Sequence, residues 1–245
     1  MPKSFRALSA APRAAALFAA PLTFTDAAPA QDYPHVPEPM VFDMMRPLGA
    51  KQGELEANTL ATTSLSGPDR SIHWAPEVEY AVADGFAVEF EFPFVDGRLE
   101  ELKLGLQAAF GTLNGGKSTH GVQYLGIYDR QSGRYNSTAA YMLVTRFNAR
   151  WSHVGMVGLA DIGRRASTGG NGFITNQSLF YDASDRQVLG LEINYRGGSE
   201  GGVLVMPQIH QMVGSAFAVQ VGIGAIKDRA DVVRPHAGLR VIRQF

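Results

Sequence analysis

The chain has 245 residues, with 27 glycines, 13 prolines, no cysteine and a formal net charge of −1. A hydrophobic share of 45% excludes intrinsic disorder, near-neutral charge excludes a nucleic-acid binder, and the lack of cysteine excludes a disulfide scaffold, a thiol nucleophile or a lipoprotein anchor. No apolar run approaches the ~20 residues of a transmembrane helix, so any membrane crossing must use strands.

Three bases, Lys3, Arg6 and Arg13, precede the apolar stretch Ala14–Phe24, and Ala28-Pro29-Ala30 supplies a small-x-small cleavage pattern. This predicts a secretory signal peptide over residues 1–30. Residues 31–50 hold Pro34, Pro37, Pro39 and Pro47, a density that forbids helix and ladder alike. The expectation is an extended periplasmic leader of the linker kind, with an ordered plug or a partner-binding strap as alternatives.

From residue 51 to 245 the hydrophobic period is two. Phe86, Val88, Phe90, Phe92 and Phe94 alternate with Ala87, Glu89, Glu91 and Pro93. Likewise Leu189, Leu191, Ile193 and Tyr195 alternate with Gly190, Glu192, Asn194 and Arg196, and Phe217, Val219, Val221 and Ile223 with Ala218, Gln220, Gly222 and Gly224. Because successive strand side chains point to opposite faces, such segments suit a sheet with water on one side and hydrocarbon on the other. Twelve strands are predicted, at 52–63, 70–82, 86–94, 99–111, 119–129, 135–147, 150–162, 172–182, 186–197, 202–211, 215–226 and 236–245, with ten as the alternative count. Each nears the ~9–11 residues that a tilted strand needs to cross a bilayer. Connections alternate short and long, as in an all-β, antiparallel outer-membrane barrel with a periplasmic N-terminus. Two depart from the rule: Thr112–Lys117 is long where a short turn belongs, and Val95–Arg98 is short where a long loop belongs. Pro76, Pro93 and Pro207 fall within strands and should mark bulges or strand ends.

Tyr80, Phe86, Phe147, Trp151, Phe180, Tyr181, Phe217 and Phe245 gather at the short-turn ends, as an interfacial belt would. The chain ends on Phe245, with Leu239 and Val241 on its face. This resembles the C-terminal strand of outer-membrane proteins, implying the barrel assembly machinery and outer-membrane lipid as partners; Arg243 stands where that pattern has an apolar residue. The segment Pro76-Glu-Val-Glu-Tyr…Asp84-Gly85…Phe94 resembles a hairpin of small Gram-negative outer-membrane barrels assigned to transport in the phenol meta-degradation pathway. That resemblance covers about twenty residues and implies passage of small, often aromatic, compounds across the outer membrane; it carries over no catalytic site.

The inward face should collect Glu77, Glu79, Glu89, Glu91, Glu101, Lys103, Arg146, His153, Glu192, Arg196, His210 and Arg240, an acidic wall facing a more basic one across the lumen. The competing reading is a static network of ion pairs filling a narrow barrel. Ser71 and His73 share a face with Glu77 and Glu79 further along it, but nothing marks an oxyanion hole, and the strands bearing His73, His153 and His210 are not neighbours. No enzyme, cofactor or metal site is expected. The function expected is a channel or transporter for small molecules in the outer membrane of a Gram-negative bacterium. Its rivals are a non-conducting envelope-structural barrel and a soluble periplasmic barrel with the Phe86–Phe94 face turned inward around an apolar ligand.

Overall fold

The computed structural model describes residues 33–67, 70–163, 172–198, 201–230 and 232–245. The predicted signal peptide lies outside the described residues. Among the described residues fourteen β elements follow one another: β1 (Leu55–Ser64), β2 (Ile72–Ala83), β3 (Phe86–Glu91), β4 (Phe94–Val95), β5 (Arg98–Leu99), β6 (Glu101–Leu113), β7 (Ser118–Asp129), β8 (Arg134–Arg146), β9 (Trp151–Ile162), β10 (Gly172–Ser184), β11 (Gln187–Arg196), β12 (Gly202–Met212), β13 (Phe217–Asp228) and β14 (Val233–Gln244). β4 prolongs β3 and β5 begins the stave of β6, so twelve antiparallel staves stand side by side. β1 pairs with both β2 and β14, which closes the sheet into a barrel without a free edge. The ten-strand alternative is thereby set aside.

The two faces of each stave separate as the alternation requires. Phe90 is 55% exposed and its neighbour Glu89 only 1%. Leu189, Leu191, Ile193 and Tyr195 lie on the exposed face of β11, while Glu192 is buried. The outward faces are apolar and the carboxylates of β2, β3 and β11 are buried inside, so the Phe86–Phe94 face does not enclose a ligand.

Pro76 causes no bulge. The β1–β2 register runs unshifted past Thr59↔Pro76, and the Pro76 carbonyl still accepts the Phe92 N–H at 3.0 Å. The irregularity falls one stave over, at Pro93, whose carbonyl takes both the Glu100 and Glu101 amides at 2.9 and 3.4 Å. Two N–H groups on one carbonyl are a bulge, and it is this that divides β5 from β6. The exceptional connections also resolve. Asp96 (φ 49°) and Gly97 (φ 78°) form the tight left-handed turn between β4 and β5. A 3₁₀ turn at Asn114–Gly116 fills the longer link from β6 to β7.

Residues 33–50, expected as a periplasmic leader, are extended but lie inside the barrel. Tyr33 packs against Gly49, so closely that a Cβ there would sit 2.3 Å from its ring, and the Gly85 N–H bonds the Ala50 carbonyl at 2.7 Å. Both arms of the segment therefore meet at the short-turn end beside Gly85, and residues 36–48 form a closed loop within the lumen. Val36, Met40, Met44, Met45 and Leu48 are all buried. Prolines exclude ladder pairing, and the barrel supplies the apolar and polar partners instead.

Candidate functional site in the barrel interior

Alternation along β11 turns Glu192 inward at mid-strand. Its carboxylate accepts the backbone N–H groups of Met40, Val41 and Phe42 at 2.9, 3.0 and 2.6 Å. Asn194 and Gln208 donate to the same group at 2.7 and 3.1 Å. Five donors around one carboxylate make an anion cradle that fixes the tip of the loop. Further along, Gln123 accepts the Met45 N–H at 2.9 Å and donates to the Asp43 carbonyl at 2.6 Å, while Gln107 donates to the Arg46 carbonyl at 2.8 Å. Met40 itself enters a hole left by two paired glycines, Gly222 on β13 and Gly238 on β14, where added Cβ atoms would lie 2.6 and 2.7 Å from its terminal methyl.

Opposite the cradle stand the acids. The register of β2 on β3 sets Glu77 directly across from Glu91 and Glu79 across from Glu89. Arg240, from β14, reaches Glu77 at 2.7 Å, pairs with Glu38 of the loop, and donates to the Asn58 side chain and the Pro39 carbonyl. Lys103, from β6, bridges Asp43 of the loop at 2.7 Å and Glu91 at 3.0 Å. Burial pushes the Glu38 carboxyl up to about 8, against the pull of Arg240 and with the push of Glu56 and Glu77.

Glu77, Glu79, Glu89, Glu91, Lys103, Glu192 and Arg240 thus meet the loop or one another on the inward face. Glu101 lies half-buried at the far end of β6, in register with Asp129. Arg146 pairs with Asp182 and donates to the His35 carbonyl, and Arg196 pairs with Asp161 at 2.7 Å. With each of these guanidiniums matched to a local carboxylate, the expected acid-to-base field across the lumen is replaced by short-range pairs. His153 points outward to Gln177 and Phe147, since Ser152 takes the inward position. Phe180 leaves the predicted belt as well: it is buried against His210. Trp151 and Tyr181 do pair on the outer face, and further ring pairs, Trp74–Phe94, Tyr128–Tyr135 and Phe173–Tyr195, lie towards the long-loop end. Arg243 lies over both Phe217 and Phe245, which accounts for a charge at that position.

An apolar inner wall escaped sequence reasoning. Met142, Val144, Val154, Met156 and Phe180, from β8, β9 and β10, are buried against Val36, Met44 and Leu48. The signal was present: β8 and β9 are apolar on both faces, which a water-filled lumen does not need. Between loop and short turns a cavity of about 910 Å³ opens, lined by Tyr33, Glu38, Arg46, Asp182, Arg186 and His210 among others.

No known protein family's sequence profile matches the chain, and no curated protein sequence matches it. Solved structures do. A KdgM porin aligns at TM-score 0.62 and 9% identity over 78% of this chain and 99% of that one. A NanC porin aligns at TM-score 0.61 and 6% identity over 78% and 100%. The COG4313 outer membrane channel from Pseudomonas putida F1 aligns at TM-score 0.60 and 13% identity over 83% and 99%. The fold is that of outer-membrane barrel porins.

Proposed function

We propose that the protein is a channel for small molecules in the outer membrane of a Gram-negative bacterium, closed at rest by residues 36–48. The carrying observation is a closed barrel, apolar outside, whose interior, part carboxylate and part apolar, is filled by a loop with both arms at one end. The porin-like fold supports this reading, as does the hairpin resemblance to phenol meta-degradation transporters. The inner surface that the loop covers has an apolar track on β8–β10 and carboxylates on β2–β3. That pairing suits small apolar or aromatic solutes, neutral or cationic rather than anionic. The strand ending at Phe245 would be read by the barrel assembly machinery.

Planar-bilayer conductance tests it. Because Tyr33 touches Gly49, replacing residues 36–48 by a short glycine bridge leaves both arms in place. The shortened chain should conduct steadily and admit phenol to liposomes, while the full chain stays mostly closed. A shortened chain that folds yet neither conducts nor admits phenol would make this a structural barrel of the envelope.

A further inference from the structure

We propose that Glu77, Glu79 and Glu89 hold a divalent cation, calcium by size and donor set, in the wall between β2 and β3. The inference does not depend on whether the barrel conducts. One carboxylate oxygen from each of the three lies within 4.8 Å of the others. Two oxygens on opposite sides of a calcium ion, each about 2.4 Å away, span that distance.

The protein's own cations do not reach this trio in full. Arg240 is engaged with Glu77 and Glu38, and Lys103 with Asp43 and Glu91. Among the described residues no base contacts Glu79 or Glu89, which are buried side by side. One oxygen of each, Oε2 of Glu79 and Oε1 of Glu89, is sealed from solvent without a hydrogen-bond partner. The remaining help for Glu79 is a neutral donor, the Asn58 amide at 3.1 Å. Two facing carboxylates in a dry site repel one another and lack the hydration that would offset the charge. A shared cation removes both penalties. A second trio, Asp43, Glu89 and Glu91, has Lys103 on two of its three members, whereas Arg240 takes only Glu77 of the first, so the ion belongs on the Glu77 side. Oxygen-only donors select a hard cation, and magnesium would keep waters that a buried three-carboxylate site excludes.

The full chain, purified in detergent and stripped with EDTA, is titrated with calcium chloride by calorimetry, and bound metal is counted by mass spectrometry. We expect saturable uptake of one calcium per chain. Glu79→Gln with Glu89→Gln should weaken it at least tenfold, while Asp228→Asn, far from the trio, leaves it unchanged. If the double variant fails to assemble, Glu89→Asp, which withdraws the carboxylate by one methylene, must still weaken uptake tenfold. Absence of saturable uptake by the wild-type chain at pH 8 overturns the proposal, leaving protons to neutralise the cluster. Uptake undiminished in the carboxylate variants overturns it equally.

Discussion

Removing the Glu192 carboxylate should release the loop from the lumen. Three backbone N–H groups, those of Met40, Val41 and Phe42, converge on it at 2.6–3.0 Å. Hydrogen bonds to a charged acceptor contribute about 1.5–3 kcal/mol each, so Glu192→Ala forfeits roughly 4–9 kcal/mol at the tip. Water entering the vacated space recovers part of this; a residual loss of about 3 kcal/mol still moves the docked-to-undocked ratio by roughly two powers of ten. Glu192→Gln is the sharper probe, because it keeps the volume yet turns an amide NH₂ towards N–H donors on one side. Two readouts apply. Protease added to the detergent-solubilised protein should cut within 36–48 in both variants but not in wild type. Single-channel recordings should show long open events in both. Loop protection and conductance equal to wild type in Glu192→Ala would refute the view that this cradle holds the loop.

Two further outcomes follow from the same geometry. Phe90→Arg places a charge on the exposed face of β3 and should cost about 2–4 kcal/mol in urea-driven folding into bilayers if that face meets lipid near the midplane; a cost near zero would contradict the facing. Glu38 holds its proton to about pH 8 when docked, against an ordinary 4.5 when the loop is in water, so its contribution favours docking most fully below the lower value and is lost as pH rises through the higher. Opening frequency should therefore climb between pH 5 and pH 8, and Glu38→Gln should flatten that rise; a profile that falls with pH would reverse the sign.

The barrel was legible because its information is local and repeated. Segments such as Phe86–Phe94 and Leu189–Arg196 declare period two within a few residues, and the tight Val95–Arg98 turn is plain from Asp96-Gly97 once both adopt positive φ. The acids of β2 and β3 were legible for the same reason, since alternation assigns their face and antiparallel register pairs them. The loop was not. Its decisive contacts join Met40–Phe42 to Glu192 across about 150 residues, and each is made once, so no periodicity announces it. Prolines at 34, 37, 39 and 47 argue correctly against regular structure, but they do not distinguish a solvated linker from an extended chain with a container. Val36, Met40, Met44, Met45 and Leu48 make that distinction, because a tether in water has no use for so many apolar side chains. Strand order alone puts Arg240 at the opposite end of the chain from the acids. Closure of β14 onto β1 brings it beside them instead, a proximity that exists only once the sheet becomes a cylinder.

That both arms of the loop leave by the same mouth has a topological consequence. A segment threaded through a cylinder from end to end can be freed only by opening a seam between staves. This one is a bight pushed into the bore, and it can be withdrawn by traction on its N-terminal side with every ladder hydrogen bond intact. Resistance to such a pull comes from a short series of attachments: first the Arg146 contact to the His35 carbonyl, then Glu38 on Arg240, then the three amides on Glu192. Tension should therefore extract it stepwise and reversibly, leaving the cylinder itself as the spring's fixed end.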